Sequence, residues 1–190
     1  MKTMLAALAL LAVPALAQDP EGWPTPLPAK ALEFHLLEQP ARVLDTRQPG
    51  CQAAVTWPSP DVPCPGGALR DGETRHLQLQ ATWLNGVELM PLGARGVLVT
   101  LTAVGGTGPG HLLLFNPYPA SGPSERPVAS SLNFPPGQAV AAGVTSALGQ
   151  WQFQTPSVPF APDLALYARV SGGGEVHVVL DVVGYYSERP

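Results

Sequence analysis

The sequence predicts an all-β fold, a single antiparallel β-sandwich of about nine strands. Two observations carry this prediction. Apolar residues recur mainly with a period of two, in short runs that are separated by clusters drawn from 20 Gly and 23 Pro. The last run, residues 175–186, is apolar on both faces apart from His177 and Asp181, which is typical of a central strand that is covered on both sides.

The individual strands are predicted from the clearest alternating runs. These are residues 42–46, 74–81, 97–104, 111–115, 128–134, 139–146, 151–154, 164–170 and 175–186. Residues 32–37 fit either a further edge strand or one helical turn. Strands of this number and length fit an immunoglobulin-like or a jelly-roll-like arrangement, and the sequence leaves the topology open.

Residues 1–17 have the features of a secretory signal peptide. Lys2 supplies one positive charge, an apolar run extends from Leu5 to Val13, and Ala15-Leu16-Ala17 fits the small-x-small rule for cleavage. A transmembrane anchor is the weaker interpretation, because the apolar run is shorter than the roughly 20 residues that span a hydrocarbon core. We therefore expect a secreted protein, periplasmic, cell-surface or extracellular, that does not span a membrane.

The charge balance bears on the kind of partner. Without residues 1–17 the chain has nine Lys and Arg against 14 Asp and Glu, a net charge near −5. Nucleic-acid binding needs clustered basic charge, and the sequence contains no run of Lys or Arg. We therefore expect no nucleic-acid partner.

Cys51 and Cys64 are the only cysteines of the chain, and they lie 13 positions apart in a segment rich in Pro and Gly. In an oxidising compartment such a pair is typical of a disulfide that closes a surface loop. The chain-entropy model gives such a crosslink about 3 kcal/mol of stabilisation. A redox or metal pair is the weaker interpretation, because there is no CxxC spacing and no His near either cysteine.

The chain divides into a leader and one domain after the signal peptide. Residues 18–30, QDPEGWPTPLPAK, contain four Pro, which favours an extended, semi-rigid leader. The β-sandwich domain is predicted over residues 31–190, a length for which one hydrophobic core is sufficient.

The sequence contains no motif of a catalytic or metal site. His35, His76, His111 and His177 occur without HxH, HxxxH or HExxH spacing, and there is no GxSxG. The glycine-rich loop 105–110 does not satisfy GxxxxGK[ST] and precedes a predicted strand, so we interpret it as a hairpin connection. We predict no cofactor, no metal and no enzymatic activity.

Two carboxylates within predicted strands indicate a structural polar cluster. Asp181 shares its strand face with valines, where an unpaired carboxylate is costly to bury. Asp45 lies between Arg42 and Arg47, which are candidate partners for both acids. We predict a buried or half-buried cluster of Arg42, Asp45, Arg47 and Asp181 that joins the first and last strands and specifies the fold. Catalysis by the acids is the weaker hypothesis.

Several segments, taken in order, resemble a β-sandwich module of secreted bacterial proteins. They are PARVLDTR at 40–47, GVLVTLTAV at 96–104, GHLLLFNP at 110–117, SLNFPPGQ at 131–138 and LDVVGYY at 180–186. The module has LDTR near its start, a valine-rich strand with an internal Asn, a SNLNF-like strand before a Gly-Gln turn, and a closing VDVVGYF. The resemblance covers about 150 residues of the chain.

The resemblance implies a non-catalytic role at a surface or on a polymer, since the module occurs alone, in tandem, or beside cell-wall amidase and protease domains. Two positions depart from its pattern. Thr100 stands where an Asn is usual, and Ala142 replaces another Asn after the Gly-Gln turn. If those amides line a polar site in the family, this protein has lost part of it; if they are structural, Thr100 serves as a β-compatible substitute.

Three functions follow from these observations. The first is a non-catalytic, secreted or envelope-associated module that binds a polymer, such as a polysaccharide or peptidoglycan, or a surface protein. Trp57, Trp83 and Trp151 are its candidate binding residues, because sugar rings stack on flat aromatic faces, although each also fits a core or edge position. The second is a self-assembling subunit of a surface layer or filament. The third, and weakest, is a hydrolase.

Overall fold

The computed structural model describes residues 31–48, 66–84, 87–117, 126–149 and 163–189, and for residues 82–84 and 87 it describes the backbone alone. The predicted signal peptide and leader lie outside the described residues. So do Cys51, Cys64, Trp57 and Trp151, and the predictions made for them stay predictions.

The regular structure of the described residues consists of strands and contains no helix. In chain order the strands are β1 Leu32–Asp45, β2 Leu69–Arg70, β3 Thr74–Leu77, β4 Thr82–Leu84, β5 Val87–Met90, β6 Gly96–Val104, β7 Gly110–Phe115, β8 Leu132–Phe134, β9 Ala139–Ala147, β10 Leu164–Val170 and β11 Glu175–Glu188.

Two antiparallel sheets pack against each other. The first has the order β1-β11-β6-β9, with β2 pairing with the beginning of β11, and the second has the order β3-β10-β7-β8. Strands β4 and β5 form a separate hairpin. The predicted all-β fold, an antiparallel β-sandwich, is confirmed.

The core lies between the two sheets, and strict alternation places its residues there. On β6, Val97, Val99, Leu101 and Ala103 are fully buried, while the residues between them are half-buried. These side chains belong to one cluster with alternate residues of β10 and β11. The other face of β10 is also buried, in a second, smaller cluster around Tyr167, whose ring lies 4.2 Å from the guanidinium carbon of Arg126.

Strand β11 is central, as predicted, since β1 and β2 pair with one edge and β6 with the other. The prediction that both its faces are covered holds for the inner face and only in part for the outer face, where Val179 is 4% exposed. Its inward residues are buried, but on the outer face His177, Asp181 and Val183 are only half-buried, because the described residues place the second sheet on the inner face alone.

Several strand boundaries differ from the predicted ones. Residues 32–37 form a strand rather than a helical turn, and they belong to the long strand β1. The run predicted over 74–81 ends at Leu77, and the run predicted over 128–134 begins only at Leu132. The short strands β2, β4 and β5 were not among the predicted runs.

The glycine-rich loop 105–110 is not a hairpin connection. It leads from β6 in the first sheet to β7 in the second, so it crosses between the layers of the sandwich. The crossing requires glycine, since a Cβ on Gly106 would lie 2.6 Å from the ring of Phe134, which packs over the loop. A sequence pattern of two runs around a Gly-rich turn fits both connections, and only the strand partners distinguish them.

Candidate functional site

The structure brings Arg42, Asp45, Arg47 and Asp181 together at the seam between β1 and β11. Arg42 donates from Nε to Asp181 Oδ1 at 2.9 Å and reaches Asp45 Oδ2 at 3.5 Å. Arg47 donates to Asp45 from Nε at 2.8 Å and from its terminal nitrogen at 2.6 Å. We call these four residues the seam cluster.

An irregularity in β1 makes the seam cluster possible. Arg42 pairs with Asp181, and Asp45 pairs with Val179. Arg42 and Asp45 are three positions apart in β1, whereas their two partners are only two positions apart in β11. A β-bulge at Val43 accounts for the difference, and it places Arg42 and Asp45 on the same face, where regular alternation would separate them. Both carboxylates are thereby within reach of one guanidinium.

Charge pairing governs the acidity of Asp45. Its side chain is fully buried, whereas those of Arg42 and Arg47 remain 46% exposed. The hydrogen bonds from Arg47 outweigh the cost of burial and hold the pKa of Asp45 below its usual value. The carboxylate is therefore ionised and occupied by its partners, as expected of a structural group.

Thr46 extends the seam beyond the last ladder pair. Its backbone amide donates to the carbonyl of Val178 at 3.0 Å, and its hydroxyl oxygen accepts from the amide of Val178 at 2.8 Å. The hydroxyl also lies 3.1 Å from Nδ1 of His177. The LDTR segment thus supplies a core residue, Leu44, and a residue that bonds directly to β11, Thr46, beside the ion pair of Asp45 and Arg47.

The two positions that depart from the pattern of the resembled module lie on opposite faces of the first sheet. Thr100 pairs with Asp181 on one side and with Gly143 on the other, so it lies on the outer face beside the seam cluster. Ala142 pairs with the buried Leu101 and packs against the core. The two positions therefore do not line one polar site in this chain.

A cleft of about 570 Å³ opens beside the other half of β1. It is lined by His35, Leu36, Leu37, Glu38, Gln39, Ala41, Glu88, Leu89 and Tyr185. We call it the β1 cleft. None of its residues was predicted as a site residue.

The β1 cleft owes its shape to a wide interruption of the β1 ladder. Leu36 pairs with Gly184 and Ala41 with Val182, so the four residues 37–40 stand opposite Val183 alone. Pro40 lies in this segment and has no amide hydrogen to give to a ladder. The segment bulges out of the ladder with β11 and forms one wall of the cleft, and Glu88 and Leu89 of β5 form part of the other.

The cleft combines acceptors, an aromatic pair and apolar side chains. His35 stacks on Tyr185 with ring centroids 4.8 Å apart, and its Nε2 lies 2.8 Å from the hydroxyl of Ser187. Glu38, Glu88 and Gln39 contribute oxygens that accept hydrogen bonds. Neither Lys nor Arg is among the lining residues that the structure describes, so the cleft presents negative charge.

A buried acid positions the hairpin that carries Glu88. Asp163 is 1% exposed and accepts hydrogen bonds from the amides of Leu79, at 2.9 Å, and Gln80, at 2.7 Å. Gln80 in turn donates to the carbonyl of Gly149 and accepts from the amide of Gly93, which lies just after β5. This amide-held acid fixes the turn between β3 and β4.

Burial, rather than charge pairing, governs the acidity of Asp163. Loss of solvation raises its pKa from 3.8 to about 6, and the backbone amides only partly offset that rise. No basic side chain contributes to the shift among the described residues. The sequence did not single out Asp163, because its amide partners lie more than 80 positions away in the chain.

A strip of exposed apolar residues runs along the beginning of β1. Leu32, Phe34 and Leu36 are 51%, 40% and 70% exposed and alternate along the strand, so they share the outer face. The ring of Phe34 covers Gly184 and lies 4.9 Å from the ring of Tyr186. A Cβ on Gly184 would come within 2.6 Å of the Phe34 ring, so this packing requires glycine.

The predicted tryptophan site is not assembled in the described part of the chain. Trp57 and Trp151 lie outside it, and the backbone of Trp83 pairs with Glu88 in the β4-β5 hairpin. Among the described residues no group of His, Cys, Asp and Glu could hold a metal ion. The same residues include no helix with the length and apolar character needed to cross a membrane.

Comparison of the chain with protein-family models, with curated proteins and with solved structures gives no match.

Proposed function

We propose that the protein is a non-catalytic, secreted or envelope-associated module that binds a neutral polysaccharide or peptidoglycan glycan strand in the β1 cleft. The observation that carries this proposal is the lining of the cleft, which offers three acceptor side chains beside leucines and an aromatic pair. Sugar hydroxyls and acetamido groups donate hydrogen bonds, and the apolar faces of sugar rings pack on aliphatic and aromatic side chains.

The size and charge of the cleft support this class of ligand. A volume of about 570 Å³ lies within the range of small-molecule sites and accommodates a few sugar units of a longer chain. Glu38 and Glu88 repel phosphate-rich polymers such as nucleic acids. The signal peptide predicted over residues 1–17 and the resemblance to a secreted surface module agree with an extracytoplasmic ligand.

The test is retention of the purified protein on insoluble peptidoglycan and on neutral polysaccharides. We expect retention on at least one of them, and we expect Glu38→Gln and Glu88→Gln to weaken it, because charged acceptors bind hydroxyls more strongly than amides do. Glu175→Gln is the matched control, since Glu175 is exposed and is not a lining residue of the cleft.

Two outcomes would contradict the proposal. Retention that is equal for Glu88→Gln and Glu175→Gln would place the ligand elsewhere, with the tryptophans Trp57, Trp83 and Trp151 as the next candidates. Release of soluble sugar fragments by the parent protein would make it a hydrolase.

A self-assembling surface subunit remains the second candidate function, because the exposed apolar strip on β1 is a surface for protein contacts.

A further inference from the structure

The outer edge of β1 is open in the described part of the chain. β1 is the end strand of its sheet, and its hydrogen-bonded partner there is β11 alone. An edge strand of this length leaves a row of amide and carbonyl groups that can pair with another strand. Residues 32–36 are the regular part of this edge, because the ladder with β11 is uninterrupted from Leu32 to Leu36.

The sequence of this edge is complementary to itself. Residues 32–36 read Leu-Glu-Phe-His-Leu, a pattern that is symmetric about Phe34 in polarity, with an acid on one side of Phe34 and an imidazole on the other. In an antiparallel pair of two such strands centred on Phe34, Leu32 stands opposite Leu36 and Glu33 stands opposite His35. Directly opposite residues share a face and lie about 5 Å apart at Cβ, so each pair is in contact.

We propose that the protein forms a two-fold symmetric homodimer in which β1 of one copy pairs antiparallel with β1 of a second copy, centred on Phe34. The pairing joins the two first sheets into one continuous sheet. It sets the apolar strip of Leu32, Phe34 and Leu36, which are 51%, 40% and 70% exposed in the single chain, side by side with the same strip of the second copy. It also places the exposed Glu33 of each copy opposite His35 of the other copy.

The dimer has a consequence for the β1 cleft. The symmetry axis is perpendicular to the joined sheet, so each face of one copy continues into the same face of the other. His35 and Tyr185 line the cleft close to this axis, and the two clefts therefore open on one face. Two linked sites on one face strengthen binding to a repetitive ligand without any new contact, provided the ligand spans both. This last step rests on the proposed function, whereas the dimer itself does not.

The first test is the concentration dependence of sedimentation equilibrium for the purified protein. We expect a monomer-dimer equilibrium, and we expect Leu36→Lys to raise the dissociation constant by about tenfold or more, since it places two unpaired charges in the apolar strip. Leu92→Lys is the matched control, because Leu92 is 58% exposed and lies outside β1. Both variants replace an exposed side chain, so thermal melts should show both folded.

The second test addresses the register. Glu33→Lys alone places Lys opposite His35, and His35→Glu alone places Glu opposite Glu33, so each variant should dimerise poorly. An equimolar mixture restores an opposite pair at both positions and should form the mixed dimer, which native mass spectrometry separates by mass when one of the two variants is uniformly labelled with nitrogen-15. A parallel pairing or a different centre predicts no such rescue.

Three results would overturn the proposal. One is a strict monomer at the highest attainable concentration, which would leave the apolar strip to a different partner. Another is a dimer that Leu36→Lys and Leu92→Lys affect equally. The third is the absence of a mixed dimer. Loss of glycan retention with an intact dimer would count against the proposed function alone.

Discussion

Two buried carboxylates of this sandwich are stabilised in opposite ways. Asp45 accepts hydrogen bonds from the guanidinium groups of Arg42 and Arg47, which lie close to it in the chain, and Arg42 in turn binds Asp181 of β11. Asp163 fastens β10 to the turn after β3 through the backbone amides of Leu79 and Gln80. The pKa of Asp45 is lowered, and that of Asp163 is raised to about 6.

In Asp163 the backbone hydrogen bonds do not fully offset the cost of burying the negative charge. Both carboxylates accept several hydrogen bonds, and both are fully or almost fully buried. Two half-exposed cations offset the lost solvation of Asp45, whereas amide dipoles only partly offset that of Asp163. Asp45 therefore favours the fold in its charged form, and Asp163 favours it in its neutral form.

The largest expected effect comes from removing the amide-held acid. Asp163→Ala leaves the buried amides of Leu79 and Gln80 without their acceptor, and each unmade hydrogen bond costs its desolvation. We expect a loss of about 4 kcal/mol in the free energy of unfolding at pH 5, measured by urea denaturation. The loss should be smaller at pH 7, because the carboxylate of Asp163 is then ionised and its burial already destabilises the parent protein. A larger loss at pH 7 than at pH 5 would reverse our assignment of the favoured form.

The pH dependence of stability separates the two acids. Because the pKa of Asp163 is raised in the folded state, its contribution is fully present below 3.8 and is lost as pH rises through about 6. We expect it to add about 2 kcal/mol to the free energy of unfolding when the pH falls from 7 to 4.5. The contribution of Asp45 has the opposite sign: it is present above 3.8 and is lost at lower pH, as its carboxylate becomes protonated.

The control for this pH effect is Asp163→Asn, which cannot titrate. The difference between the parent and Asp163→Asn isolates the carboxyl group from all other acids. That difference should change between pH 4.5 and 7 and be constant above pH 7. A difference that is constant over the whole range would show that Asp163 is already ionised at pH 4.5.

The two acids also show what the sequence could predict. Arginines at positions 42 and 47 made the pairing of Asp45 a local inference, whereas the pairing of Asp181 followed from the cost of leaving a carboxylate unpaired among valines. Asp163 stands outside any predicted run, and its partners are amides 83 and 84 positions away, which no local pattern reveals. The same non-local bonds explain why β3 ends at Leu77 although apolar alternation continues to Ala81.

The candidate site was missed for a related reason. Regular strands such as β6 and β10 were predicted to within a residue, because alternation is a local property. The β1 cleft arises where alternation fails, in the segment 37–40 that leaves the ladder opposite Val183. The adjacent pair Leu36-Leu37 and the nearby Pro40 were the available signals. They indicate an irregularity, but the hairpin that completes the cleft comes from a different part of the chain.

A smaller effect is expected from removing the charge-paired acid. Asp45→Ala deletes the acceptor of Arg47 and part of that of Arg42, but both guanidinium groups are half-exposed and become hydrated. We expect a loss of about 1.5 kcal/mol in the free energy of unfolding at pH 7, the lower end for hydrogen bonds between charged groups. Leu92→Ala, a truncation at an exposed site, should leave stability unchanged within error. A loss for Asp45→Ala equal to that of Asp163→Ala at pH 5 would remove the distinction between the two regions.

The smallest effect is expected at the exposed side of the seam cluster. Asp181 is 20% exposed and binds Arg42, whose side chain is 46% exposed, so solvent and salt screen the pair. We expect Asp181→Asn to lower the free energy of unfolding by about 0.5 kcal/mol at low salt, and the loss should shrink in high salt. The loss from Asp45→Ala should depend less on salt, because that carboxylate is fully buried. A melting temperature of Asp181→Asn equal to that of the parent at low salt would show that the bond between Arg42 and Asp181 does not stabilise the seam, which Thr46 would then hold.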